Sequence, residues 1–422
     1  MTTRATGGAD VVSLLESAVA VADAPDVVVG WSRHGERVIR SGGTAAPPPL
    51  PREHLRYEVG SATKPYTTLL LSALVADGTL TWCTPAAPLL NGGSPRYGPG
   101  AAGRPAAGVL HLATHTAGLP RLPADFYPRA LPRWTTNPYA DYPAERVVDA
   151  FLRPARRRRE PGSRWRYSNF GASVLGHALA ARKGTSWERL LRERVLTPLG
   201  LDDTTTDPAG AVGPPPRPAL ASVRAGSVRP GSGPTRPTVV VGGAGRDADG
   251  ASRQRGGGDG LPDAAQRSGP PSRHIGAGPQ AGGEGGRDAV GHGRDGVTPV
   301  PPLLMGGFAP AGAVRATPHD LLTFLEAQLE PERTPLEAEL RALRGPVLRR
   351  GRGHRHTHTV SWFHRPGERG AVLFHAGATS GQQALLAFRP ATGTAMVALS
   401  TRRFRATDPF PRVVHALIDD LP

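Results

Sequence analysis

The chain predicts an α/β (α+β) architecture, an antiparallel sheet flanked by helices and built from both termini, with a helical lobe inserted between them. Three patterns carry this expectation. Near the start, Val11, Val12, Leu14, Leu15, Ala18 and Val19 recur at helical spacing, and two short β-rich runs follow. From about residue 81 to 211 the apolar spacing is helical, with long turns. Beyond residue 357 it changes to strands and closes with a helix. Strands at both ends of a chain, with helices between, are accommodated by one sheet that draws on both termini.

Taken in order, Asp26 to Trp31 and Arg37 to Ser41 read as strands joined at Arg33-His34-Gly35-Glu36, a hairpin signal. Ser61 ends a third apolar stretch and opens a helical pattern through Tyr66, Leu69, Leu70, Leu71, Leu74 and Val75, which stops at Asp77-Gly78. Helices are expected at Val109 to Thr114, Ala144 to Leu152, Gly171 to Ala181, Trp187 to Leu196 and Ala316 to Leu329, the last entered through Thr317-Pro318. Strands are expected at Thr359 to Phe363, Ala371 to His375, Gln383 to Phe388 and Thr394 to Ser400, and a final helix at Val413 to Leu421. The sheet lobe then comprises residues 1–80 plus 315–422, and the mainly helical lobe residues 81–211. Residues 212–290 are rich in Gly, Pro and Arg, contain no aromatic residue and keep no apolar period, so a disordered insert is expected there. Residues 291–314 form the return segment.

A net charge of +16 would ordinarily raise nucleic acid as a partner. The arginines are spread widely, however, and aromatics suited to base stacking are few, so no nucleic acid is expected. Cys83 is the only cysteine, which excludes an intrachain disulfide. No apolar run approaches a membrane span and the first residues lack a leader pattern. The expectation is a cytoplasmic protein without a membrane partner. His354, His356 and His358 alternate on one strand face but have no acidic or cysteine neighbour, so they read as a solvated strand end. His111 and His115 lack the glutamate of a metal-binding helix and read as packing and turn residues. No metal and no cofactor are expected.

Lysine is nearly absent: the chain has 49 arginines and two lysines. Lys183 precedes Gly184 at a helix end, where a cation and a glycine cap are ordinary. Lys64 stands three residues after Ser61, on the same helical face. Arginine serves almost any solvated charge but cannot release its proton, whereas a buried amine can. A serine hydroxyl needs such a base before it attacks a carbonyl. Tyr167 in Tyr167-Ser168-Asn169 is the candidate second proton carrier, and an ammonium beside its phenol would favour phenolate. Asn169 would offer an amide to Lys64 and to a substrate carbonyl. His375-Ala376-Gly377 ends a strand with small residues, where a backbone N–H paired with that of Ser61 could form an oxyanion hole.

The ordered set Ser61-x-x-Lys64, Tyr167-Ser168-Asn169 and His375-Ala376-Gly377 resembles the class C β-lactamase and penicillin-binding-protein-like serine hydrolases. Leu112-Ala113-Thr114-His115-Thr116-Ala117-Gly118-Leu119-Pro120 is similar to a segment of that family too. The resemblance implies Ser61 as nucleophile, Lys64 and Tyr167 as base and proton relay, Asn169 as substrate partner, and the Ala378 N–H beside Gly377 as second oxyanion donor. It also implies an acyl-enzyme that water hydrolyses. His375 stands where lactamases and peptidases of the family use lysine to hold a carboxylate, and in this it resembles the esterase branch. The expected substrate is a small ester, amide or peptide. The alternatives are a D-amino-acid peptidase, a weak β-lactamase, or a catalytically silent binding protein on the same fold. Oligomeric state is not read from the sequence.

Overall fold

The computed structural model describes residues 7–90, 106–153, 160–208, 284–350 and 356–420. The chain divides into two units, Met1–Ser222 with Gly282–Pro422, and Val223–Ala281; all the described residues belong to the first. Its strands are β1 (Val27–Arg33), β2 (Glu36–Gly42), β3 (Tyr57–Glu58), β4 (Arg315–Ala316), β5 (Pro346–Arg350), β6 (His356–Thr359), β7 (Phe363–Arg365), β8 (Val372–Ala378), β9 (Gln383–Arg389) and β10 (Thr394–Ser400). Eight of them form one sheet in the order β2-β1-β10-β9-β8-β7-β6-β5, and β3 pairs with β4 apart from it. Every neighbouring pair in the large sheet is antiparallel. Strands from the two ends of the chain meet where β1 lies against β10, as the expected architecture requires.

The hairpin between β1 and β2 turns through His34 and Gly35, both at positive φ, the backbone form that matches strand twist in a two-residue loop. Alternation along β1 sends Val27, Val29 and Trp31 to one face and Val28 to the other. The first face is covered by Val11, Leu15 and Ala18 of helix Gly7–Ala20 and by Phe410, Val414 and Leu417 of helix Pro409–Asp420. On the second face Leu321, Leu322 and Leu325 of helix Pro318–Leu329 pack with Val397 and Leu399. That core continues without a break through Tyr66 and Leu70 of helix Lys64–Ala76 to Val174 and Leu175 of helix Asn169–Lys183. Sandwiched between two covered faces, β10 is buried along its whole length, which explains its near-continuous apolar sequence.

Some local expectations fail for identifiable reasons. Thr359 to Phe363 is a turn between β6 and β7, because the Thr359 hydroxyl accepts the N–H groups of Ser361 (3.2 Å) and Trp362 (2.8 Å). His358 is buried against the Trp165 and Phe363 rings, not solvated. His354 lies outside the described residues. Ala316 belongs to β4, and the helix begins after Thr317, whose hydroxyl caps it through the Asp320 N–H at 3.2 Å.

The tract 212–290 is also shorter at its C-terminal end than composition implies. Residues 212–283 lie outside the described residues, but residues 284–290 are tied to the fold. Glu284–Arg287 is a short 3-10 turn, the Arg287 carbonyl accepts the Arg56 N–H at 2.7 Å, and Asp288 pairs with Arg56 at 2.8 Å. Among the described residues no helix is long and apolar enough to cross a membrane.

β3 leads directly into the serine turn, and β4 pairs with it. Glu58 and Arg315 sit opposite each other in this pair, and their side chains form a buried ion pair at 2.8 Å. The same carboxylate oxygen accepts the Leu303 N–H at 2.7 Å, and Arg315 also donates to the Leu303 carbonyl. Removing one partner would leave a buried charge uncompensated, which costs about 3–5 kcal/mol. Glu58→Ala is therefore expected to lower the unfolding free energy by about that amount in urea denaturation. An effect below ~1 kcal/mol would show that the pair does not anchor this turn.

Candidate active site

β3 delivers the chain to Gly60, whose φ of +51° turns it into the 3-10 segment Gly60–Thr63. Helix Lys64–Ala76 follows at once, with Pro65 in its first turn, where a missing N–H costs nothing. Lys64 thus comes one turn after Ser61. Its Nζ lies 3.1 Å from Ser61 Oγ and donates to the Ala311 carbonyl at 2.9 Å. Lys64 is 4 % exposed. Burial, reinforced by the positive charge of Arg121, holds the amine well below its ordinary pKa. The Ala311 carbonyl is brought there by neighbours of the same segment: Thr67 donates to the Pro310 carbonyl at 2.7 Å and Val314 N–H donates to Thr63 Oγ1 at 3.0 Å.

Tyr167 reaches the same serine from the other side of the sequence. Its hydroxyl feels the Ser61 side chain, which lowers its pKa, and its ring centre is 4.8 Å from Lys64 Nζ. Ser168 caps the following helix by accepting the Gly171 N–H at 2.8 Å, so the motif does structural and positional work together. The charge state differs from the expectation of a phenolate. Burial pushes the Tyr167 phenol up to about 12, and the Ser61 side chain and the charge of Arg121 only partly oppose this. The same burial lowers the pKa of Lys64, which weakens the support an ammonium would give a phenolate. The pair is an amine able to accept a proton and a phenol able to give one.

Asn169 opens the helix and is buried. It was expected to hold Lys64; instead Lys64 bonds Ser61 and the Ala311 carbonyl. Asn169 Oδ1 is buried without a partner, an acceptor left for a substrate donor.

The third motif forms the wall opposite. A Cβ on Gly377 would stand 1.9 Å from the Val59 carbonyl oxygen and 2.8 Å from Ser61 N, so only glycine allows this strand to approach the serine turn. A Cβ on Gly60 would in turn meet Ala378 N at 2.8 Å. The backbone N–H groups of Ser61 and Ala378 are thereby brought to one place, as an oxyanion hole requires. Gln382 steadies this edge: its side-chain oxygen accepts the Glu58 N–H at 2.9 Å and its amide donates to the Ala289 carbonyl at 2.7 Å.

His375 is 2 % exposed, and its Nδ1–H donates to the Ala376 carbonyl at 3.0 Å. Burial first, then the neighbouring Lys64, pushes the imidazole down to about 3, so it is neutral at ordinary pH. With Tyr167, Phe363, Phe374 and Ala376 it lines a cavity of about 370 Å³. Trp362 does not line it; its ring is fully buried against Phe324 and Phe388. Sequence reasoning missed Ala311 and the closer role of His115. That histidine sits at φ +58°, accepts the Ser168 N–H on Nδ1 at 3.3 Å and lies 4.6 Å from the Tyr167 ring centre.

A family model described as Beta-lactamase matches residues 11–418. The chain is 30% identical over 189 residues to the D-alanyl-D-alanine-carboxypeptidase/endopeptidase AmpH of Escherichia coli (strain K12), a match covering 41% of this chain and 43% of that protein. The chain thus matches less than half the length of this relative. Among solved structures, the class C beta lactamase from Rhodobacter sphaeroides aligns with a TM-score of 0.63 at 20% identity, over 96% of this chain and 97% of that one. The Beta-Lactamase/D-Alanine Carboxypeptidase from Pseudomonas syringae aligns with a TM-score of 0.63 at 16% identity, over the same shares. These structures share the antiparallel sheet flanked by helices. With a family model spanning nearly the whole chain, this protein belongs to the β-lactamase family of serine hydrolases.

Proposed function

We propose that this protein hydrolyses a small ester or amide through an acyl-enzyme on Ser61, with esters preferred. The observation that carries the reading is the Lys64 amine at 3.1 Å from Ser61 Oγ, buried where it sheds its proton. Neutral Lys64 takes the Ser61 hydroxyl proton as Oγ bonds to the substrate carbonyl carbon. The carbonyl π electrons move to oxygen, and the Ser61 and Ala378 N–H groups stabilise that oxyanion. When the intermediate collapses, the bond to the leaving group breaks and the Tyr167 phenol protonates the departing atom. Lys64 then returns its proton to the Tyr167 phenolate, whose ring lies beside its Nζ. Water, deprotonated by the same groups, attacks the acyl carbon and releases the acid and Ser61.

The neutral His375 and the aromatic rings beside it support an ester preference: that wall offers an apolar surface to the leaving group and no cation. The similarity to AmpH supports a second reading, cleavage of D-amino-acid peptides. Intact mass after incubation with p-nitrophenyl esters, a D-alanyl-D-alanine peptide and a penicillin separates these, since each acyl group adds its own mass to Ser61. A catalytically silent binding protein would bind without acylation.

Ser61→Ala is expected to lose both the covalent adduct and turnover, and Lys64→Arg to lower kcat/KM by about 10²–10⁴ because guanidinium stays charged. Full activity in Lys64→Arg would remove the lysine from the role of base. The pH dependence has a definite sign. The pH profile of kcat/KM should fall on the acid side as Lys64 gains a proton, and stay level to about pH 10, since Tyr167 holds its proton until about 12. Stability follows the same group. Lys64 ionises lower in the folded than in the unfolded chain, where its pKa is about 10.4, so the unfolded state binds more protons between those two values. Across that window, relative to Lys64→Met, the wild type should gain unfolding free energy as pH rises from 7 toward 10. A difference independent of pH would mean the amine is charged in the fold.

A further inference from the structure

His115 brackets Tyr167. Its carbonyl accepts the Arg166 N–H at 2.8 Å and its Nδ1 accepts the Ser168 N–H at 3.3 Å, so the residues before and after the tyrosine are both fastened to one histidine. The imidazole also lies 4.6 Å from the Tyr167 ring centre, and the Trp165 ring meets it edge-on at 6.1 Å. Further bonds join the same two segments. Gly162 N–H donates to the Thr116 carbonyl at 2.8 Å, Ser168 Oγ to the Pro120 carbonyl at 2.6 Å, and Phe170 N–H to the Arg121 carbonyl at 3.0 Å. Of the acceptors in this set, only Nδ1 of His115 belongs to a side chain.

The backbone of His115 is unusual as well. It sits at φ +58°, and the other non-glycine residue at positive φ among the described residues is His34, in the hairpin turn. A non-glycine residue keeps this left-handed form where its surroundings over-determine it, and such residues gather at active sites. Here the form presents the carbonyl and the ring of one residue to the same neighbouring segment. An Nδ1 that accepts an N–H has the ring proton on Nε2, so the bond to Ser168 fixes the tautomer together with the ring. Without that acceptor the buried Ser168 N–H would lose its partner.

Tyr167 needs this restraint for a chemical reason. A general acid must stay within hydrogen-bond reach of the atom it protonates, and a misplacement of about 1 Å can cost about 10²-fold in rate. We infer that His115 is a positioning residue for proton delivery, which holds Tyr167 through the residues on either side of it so that the phenol meets the leaving atom. The consequence for turnover rests on the hydrolase reading above, whereas the placement of the ring does not.

The test uses leaving groups that differ in their need for a proton. Ethoxide must take one as the acyl–oxygen bond breaks, whereas p-nitrophenolate departs as the anion. His115→Gly adopts the left-handed backbone freely and removes the imidazole. It is expected to lower kcat/KM for ethyl butyrate by about 10², and for p-nitrophenyl butyrate by less than about threefold. His115→Asn tolerates the same backbone and offers Oδ1 in place of Nδ1, so it should recover at least about tenfold of that loss. Tyr167→Phe should show the same split between the esters, and His115→Gly added to it should cost little more, because both act through one phenol. The exposed Arg189→Gln serves as control and should leave the split unchanged. A second readout needs no turnover: in protein isotopically labelled at tyrosine Cζ, the NMR resonance that Tyr167→Phe removes should shift in His115→Gly and move back in His115→Asn. Equal losses on the two esters, losses additive with Tyr167→Phe, or a resonance that ignores residue 115 would each overturn the positioning role and keep the hydrolase. A resonance governed by His115 in a protein that forms no acyl-enzyme would keep the positioning role and sink the hydrolase reading. Absence of both would overturn both.

Discussion

The site depends on one close approach of backbone to backbone. The edge of β8 at Gly377-Ala378 lies against the turn Val59-Gly60-Ser61 with no side chain between them, since a methyl on either glycine would overlap main-chain atoms. Through that contact the N–H groups of a helical turn and of a strand reach one point, although the chain supplies them from opposite ends. Much of the surrounding structure holds this contact in place. β3 and β4 aim the turn, the Val314 carbonyl accepts the Val59 N–H at 3.0 Å, and Gln382 ties the strand edge back to Glu58. A pair of weak backbone donors becomes a rigid feature, which is the condition for stabilising a charge that exists only briefly.

Inside the contact, burial works against charge on the groups nearest the serine. It lowers the pKa of Lys64 and of His375 and raises that of Tyr167. One cause acts on all three with opposite outcomes, because desolvation penalises whichever form carries charge.

The chemistry was more legible than its surroundings. Motif order pointed to Ser61, Lys64, Tyr167, Asn169 and Gly377-Ala378, and caps and turn residues placed the helices that carry them. The ionisation of Tyr167 was misread because it depends on burial, which a motif does not encode. The Ala311 carbonyl left no trace, since a backbone acceptor can be supplied by any residue type. Arg121, whose charge bears on Lys64, was hidden among 49 arginines, most of which the composition alone accounts for. The break at Thr359 was lost because a hydroxyl that ends a strand looks, in sequence, like a β-branched residue that extends one. Residues 284–290 were assigned to the insert by their glycines, while main-chain bonds that composition cannot reveal hold them to Arg56.

The stretch between residues 208 and 284 leaves and rejoins the fold at two points already fastened together. Asp203 pairs with Arg287 at 2.9 Å, Thr205 and Arg315 exchange backbone bonds, and Asp288 is held by Arg56. Adding residues to a closed loop raises its entropy cost only slowly, by about 0.6 kcal/mol for each doubling. A change of length between two ends fastened in this way is therefore of small entropic consequence for the fold that carries Ser61.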